Sequence, residues 1–133
     1  MIAVLDASAA IEIVLQRKKA KQFVRSVSEA DWVIAPNLFI AEVTNVFWKY
    51  QKFANLPFAV CEKGIEQAIS LPDDYITEHD LYREAFKLAC SLNHSVYDML
   101  YLVVARRNSA TLLTLDSKLL QTAEKCSIDI CSY

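Results

Sequence analysis

The sequence predicts an α/β domain: a mainly parallel sheet of five short strands covered by helices on both faces. Two observations carry that reading. Short apolar runs alternate along the chain with longer stretches of helical spacing, the pattern of strand–helix–strand crossovers. The 133 residues, with a mass of 15.1 kDa, are the size of one domain with its own core. No repeat, linker or low-complexity stretch divides residues 1–133. Because such crossovers are right-handed, helices must cover both sheet faces.

The elements follow in order. Ile2–Leu5 is a short apolar run closed by Asp6, the first strand. Ser8 can begin or cap a helix that continues to Gln16. Between Lys18 and Glu29, Ala20, Phe23, Val24 and Val27 recur at helical spacing, with the basic residues elsewhere. Trp32–Ala35 is the second strand, ended by Pro36. Leu38–Ala54 is a long helix with an apolar stripe through Phe39, Val43, Val46, Phe47, Tyr50 and Phe53. Pro57 suits a helix start, and Phe58–Leu71 continues as helix with Gly64 as its weak point. Tyr75–Thr77 is a weak third strand. Thr77 and Asp80 have capping-box spacing ahead of the helix Leu81–Leu92. Val96–Arg107 is a further helix, Thr111–Leu115 the fourth strand, Ser117–Lys125 a helix and Ile128–Cys131 the last strand.

Composition excludes several chemistries. One glycine, Gly64, cannot build a Walker loop, a Rossmann phosphate loop or a hydrolase nucleophile elbow. Two histidines, His79 and His94, sit too far apart for an HExxH zinc site; they are read as surface or hydrogen-bonded residues without a role. No charge-free stretch approaches the length of a membrane span. The N-terminus has no basic leader, and Asp6 and Glu12 break its apolar run, so the expectation is a cytoplasmic protein. Cys61, Cys90, Cys126 and Cys131 show no Cys-x-x-Cys spacing and read as reduced, mostly core thiols. Net charge is −2, which argues against a general nucleic-acid coat. The charge is uneven, however. Arg17, Lys18, Lys19, Lys21 and Arg25 fall in a segment without an acid, open both to phosphate contact and to the role of a solvated helix face.

The carboxylates are the remaining candidates for chemistry. Ligands of open parallel sheets bind beyond the carboxyl ends of the strands. Asp6 follows the first strand directly and Asp116 follows the fourth. Asp98 lies in an otherwise uncharged run from Val96 to Ala105, where an unpaired buried carboxylate is costly. Glu42 sits among apolar neighbours on the long helix, on a face shared with Asn45, Lys49 and Lys52. Each has an alternative role: Asp6 and Asp116 as helix caps, Asp98 as part of a Ser95-x-x-Asp98 capping box, Glu42 on a solvated face. Brought together, four carboxylates repel, and a hard divalent cation compensates them. Oxygen-only ligation favours Mg²⁺ or Mn²⁺, which engage phosphate oxygens and activate water.

The chain resembles the PIN-domain ribonucleases, and among them the VapC toxins of toxin–antitoxin pairs. The matching segments are Val4-Leu5-Asp6-Ala7-Ser8-Ala9, Ala41-Glu42-Val43-Thr44-Asn45-Val46-Phe47, Tyr97-Asp98-Met99-Leu100-Tyr101-Leu102 and Leu113-Thr114-Leu115-Asp116-Ser117-Lys118-Leu119. Four short motifs in this order span nearly the whole chain. The resemblance implies a three-layer α/β/α fold with sheet order 3-2-1-4-5. It implies that Asp6, Glu42, Asp98 and Asp116 are catalytic and hold Mg²⁺ or Mn²⁺, directly or through water. Ser8 would support the first acid, and Asn45 and Thr114 would shape the pocket. It implies an endoribonuclease acting with a metal-activated water on RNA, a homodimer, and a VapB-type antitoxin that blocks the site. Met99 departs from the family, which has a small residue there. The alternative is a non-catalytic PIN-fold binding module whose acids are caps. A phosphoacceptor receiver or haloacid phosphatase fits poorly, because Leu5 and Ala7 flank Asp6 and Ser8 stands where Asp-x-Asp needs its second acid.

Overall fold

The computed structural model describes residues 1–131. Eleven elements alternate: β1 (Ile2–Leu5), α1 (Ala7–Val14), α2 (Ala20–Glu29), β2 (Trp32–Pro36), α3 (Leu38–Ala54), α4 (Phe58–Ile69), β3 (Asp74–Ile76), α5 (Glu78–Leu92), α6 (Val96–Arg107), β4 (Thr111–Leu113) and α7 (Ser117–Lys125). The sheet has order β3-β2-β1-β4, and all of its ladders are parallel. β1 lies inside, with Ala3 opposite Val33 of β2 and Thr111 of β4. Right-handed crossovers put α1 to α4 on one face and α5 and α6 on the other.

Among the described residues the expected fifth strand, Ile128–Cys131, is absent, so the sheet has four strands rather than five. Ile128 is used to close α7, its N–H bonding Ala123 O at 3.0 Å after Ser127 turns at φ 57°. What remains runs beside β4 only far enough for one parallel bridge, Leu112 to Ile130, and one bond from Leu112 N–H to Asp129 O at 2.8 Å. β4 also stops at Leu113, short of the expected Leu115, because Thr114 leaves the ladder for the site described below.

The core runs through the middle of the sheet. Ala3, Val4 and Leu5 of β1 are fully buried, as are Ile34 and Ala35 of β2 and Leu112 and Leu113 of β4. On α6, every residue from Met99 to Ala105 is buried, as a helix apolar on all sides requires. Met99 therefore fits its position by complete burial. Of the cysteines, all free, Cys61 alone is buried; Cys90 is exposed and Cys126 and Cys131 are half-buried. Among the described residues no helix is long and apolar enough to cross a membrane.

With one glycine in the chain, helix ends are made differently. Gln16, Asn55, Asn93, Ser109 and Ser127 all take left-handed φ between 48° and 57° just after helices. Behind α1 the closure is a Schellman pair: Arg17 N–H returns to Glu12 O at 3.0 Å and Gln16 N–H to Ile13 O at 3.1 Å. Gly64 is used for close approach instead. A Cβ there would lie 2.7 Å from Cζ of the fully buried Phe47, on the facing helix α3.

Candidate active site

The carboxyl edge of the sheet opens into a cavity of about 430 Å³ that Asp6, Ser8, Glu42, Asn45, Asp98 and Asp116 all line. Asp6 is carried there by β1. Glu42 comes from the second turn of α3, and Asp98 from the first turn of α6. Asp116 follows β4. All seven residues singled out from sequence are in or against this cavity, since Thr114 binds Asp6 from behind.

Asp6 occupies the N-cap position of α1, with φ −85° and ψ 155°, yet its side chain caps nothing. Its Oδ2 instead accepts two hydroxyls, Thr114 Oγ1 at 2.5 Å and Ser8 Oγ at 2.8 Å. Those hydroxyls are themselves oriented by the backbone after β4. Leu115 N–H donates to Ser8 Oγ at 3.0 Å and Asp116 N–H to Thr114 Oγ1 at 3.1 Å. Each hydroxyl thus spends its proton on Asp6 and a lone pair on the loop, which fixes Oδ2. Burial raises the Asp6 pKa, the hydroxyls and Ala7 N–H pull it down, and Asp98 adds repulsion.

Glu42 is held by Tyr101, whose hydroxyl donates to Oε1 at 2.6 Å. Loss of solvent pushes the Glu42 carboxyl up to about 7; the Tyr101 bond opposes this, and Asp6 and Asp98 reinforce it. Burial, with Asp6 and Glu42 alongside, pushes the Tyr101 phenol up as well, so it acts as a donor. Asp98 is raised by burial; His94 opposes the shift, and Asp116 adds to it. Ser95 is the N-cap of α6 and accepts Asp98 N–H at 3.4 Å. The reciprocal half of a capping box is not made, because Ser95 N–H goes to His94 Nδ1 at 3.0 Å. That ring is buried, its Nδ1 3.3 Å from Asp98 Oδ2 and, among the described residues, its Nε2 without a hydrogen-bond partner, so of the two readings of His94 the hydrogen-bonded one holds. Asp116 does serve as a cap: its Oδ1 accepts Lys118 N–H at 3.0 Å and Leu119 N–H at 3.1 Å of α7.

Two contributors escaped the sequence. Tyr101 read only as one more apolar residue of a buried helix, and nothing local marks its hydroxyl as bound to a carboxylate. Glu12 is a fifth acid lining the cavity, buried and accepting Lys19 N–H at 3.0 Å. Its only sequence signal was its interruption of an apolar run.

The four carboxylates interact electrostatically, Asp6 with Glu42 and Asp98, Glu42 with Asp98, and Asp98 with Asp116. They do not draw together around a point: among the described residues no three His, Cys, Asp or Glu side chains form a group that could hold one ion. Each is tied first to its own hydroxyl, phenol or amide partners. The donor set nonetheless suits a hard divalent cation. It is all oxygen, desolvated at Asp6 and partly so at Glu42 and Asp98, and mutually repelling, and a cation relieves both burdens.

The PIN domain family model matches residues 3–125. Ribonuclease VapC3 of Pyrobaculum aerophilum is 28% identical over 118 residues, covering 87% of this chain and 90% of that protein. The crystal structure of PAE2754 from Pyrobaculum aerophilum superimposes with a TM-score of 0.70 at 20% identity, covering 92% of this chain and 87% of that one. With the parallel sheet and the carboxylate-lined cavity at its carboxyl edge, these matches establish that the chain belongs to the PIN domain family.

Proposed function

We propose that the protein is an endoribonuclease that uses Mg²⁺ or Mn²⁺ to hydrolyse RNA phosphodiesters, acting as the toxin of a VapC-type pair. One observation carries this reading: four carboxylates from four separate elements line one cavity, and three of them are pushed towards protonation by burial. A fold has no structural need for that arrangement, which costs stability unless a cation or proton compensates it. The named ribonuclease activity of the relative supports the same class.

Asp6, Glu42, Asp98 and Asp116 would hold the cation, some of them through water. When bound, the cation lowers the pKa of a water molecule and stabilises negative charge on the phosphodiester. Ser8 and Thr114 lock one oxygen of Asp6, which fixes the orientation of the carboxylate at the cavity. Tyr101 orients Glu42 in the same way. Asn45, exposed on α3 at the cavity wall, is available to hydrogen-bond the RNA. A homodimer, a VapB-type antitoxin and a cytoplasmic setting belong to this reading.

The competing reading is a non-catalytic module, and the cap role of Asp116 favours it. Mn²⁺ titration followed by thermal unfolding separates the two. A saturable stabilisation in wild type, lost together with RNA cleavage in Asp98→Asn, is expected. At about 100 times the dissociation constant the gain is about 2.7 kcal/mol. No stabilisation of wild type at millimolar Mn²⁺ would favour the non-catalytic module and reject the metal-dependent nuclease.

A further inference from the structure

The cavity wall also carries two cations, Arg17 and Lys49. Among the described residues neither forms an ion pair, although five acids line the same cavity. The Arg17 guanidinium instead lies over the Tyr50 ring, 5.2 Å from its centroid. Its backbone is fixed on both sides, by the Schellman closure behind α1 and by Ala20 N–H on its carbonyl at 3.1 Å. Arg17 also lines a second, open hollow of about 880 Å³ on α2, with Lys18, Lys21 and Arg25 and no acid in its lining. Arg25 is bound to Glu29 at 3.0 Å. Lys18 and Lys21 are exposed and, among the described residues, unpaired.

We infer that Arg17 and Lys49 form a phosphate subsite beside the carboxylates, and that a single RNA strand leaves the cavity over Arg17 along the basic face of α2. The inference rests on the nuclease reading, because it takes the strand to place one phosphate at the carboxylates. The neighbouring phosphate then meets the cavity wall. Cations there offset the repulsion between the acids and a polyanion, and contacts of this kind position a strand without reading its sequence. Arg17 suits the turning point: it is shared by both hollows, and among the described residues its guanidinium is in no ion pair, which leaves it for phosphate oxygens.

The test uses the full chain, metal-free in EDTA, and an end-labelled mixed-sequence single-stranded RNA of about a dozen nucleotides, with binding read by anisotropy across salt concentrations. Arg17→Gln and Lys49→Gln should each weaken binding at least about fivefold, and Arg17→Lys should recover most of the loss. Lys18→Gln with Lys21→Gln should flatten the slope of log affinity on log salt by about 1.4, or about 0.7 per lost phosphate contact on a single strand. Lys87→Gln on α5 should change nothing. Absence of binding by wild type in low salt, or variants that bind like wild type, would overturn the inference. So would a Glu-rich peptide that binds more tightly than the RNA and is lost in the same variants, since that would make the face a protein-docking surface. A parallel Mn²⁺ cleavage assay keeps the two readings apart. Cleavage with unaltered binding in the variants rejects the subsite alone. Binding lost in the variants, without cleavage by wild type, rejects the nuclease alone.

Discussion

Replacing Thr114 with valine keeps the shape of a buried side chain and removes one oxygen with two duties. The hydroxyl donates to Asp6 Oδ2 at 2.5 Å and accepts Asp116 N–H at 3.1 Å. A hydrogen bond to an ionised group contributes about 1.5–3 kcal/mol. Without it the Asp6 carboxyl, already raised by burial, binds its proton more tightly, and a cation must displace that proton. The expected loss of Mn²⁺ affinity is the same energy expressed as a ratio, about 10- to 150-fold. That agrees with the effect of removing groups that orient metal ligands elsewhere, about 10- to 100-fold. In thermal unfolding, Mn²⁺ at 100 times the wild-type dissociation constant should stabilise wild type by about 2.7 kcal/mol, and a variant tenfold weaker by about 1.4 kcal/mol. In the metal-free protein the deficit of Thr114→Val is largest where Asp6 is ionised and shrinks as pH falls and Asp6 protonates in both proteins. Thr114→Ser keeps the hydroxyl and should behave like wild type. An unchanged Mn²⁺ midpoint in Thr114→Val, with wild type itself binding, would refute the view that this hydroxyl prepares Asp6.

Glu42 carries a pKa raised from 4.5 to about 7, so folding takes up a proton between those values. Metal-free stability should therefore fall as pH rises through that window, and Glu42→Gln should flatten the fall, as read by melting temperature against pH. Gly64→Ala would set a Cβ 2.7 Å and 2.8 Å from the Phe47 ring. Overpacking of about 1–3 kcal/mol should outweigh the better helix propensity of alanine in urea unfolding, and Phe47→Leu should relieve it. Ser109→Gly, at φ 48° behind α6, should raise stability by about 0.5–1 kcal/mol in the same assay, because glycine takes that backbone without steric cost.

The legible parts of the chain were those where a local rule and the tertiary fold agree. α3, α6 and α7 begin and end where periodicity and capping residues place them. The four acids were legible because carboxylates directly after strands, or inside an uncharged helix, contradict the apolar pattern around them. The last strand misled because Ile128-Asp129-Ile130 alternates like a strand, whereas Ile128 is drawn into closing α7. Sequence pattern does not distinguish an apolar residue that extends a sheet from one that ends a helix. Tyr101 and His94 were missed for another reason. Each acts through a side chain reaching a carboxylate, Tyr101 one 59 positions away and His94 one a single helical turn on. A phenol or imidazole in such a segment looks the same whether or not it has that partner.

β1 lies between β2 and β4, and β4 follows all the other strands in sequence. The hydroxyl of Thr114 and the amides of Leu115 and Asp116 that organise Asp6 are therefore synthesised only after β1, β2 and β3. Until then β1 has an open edge, and Asp6 lacks both the Thr114 bond and the amide that orients Ser8. A growing or truncated chain without the β4 segment therefore has no organised site. Any activity of this centre thus waits until β4 and the loop behind it have been made, a built-in interval for a protein whose work would be cutting RNA.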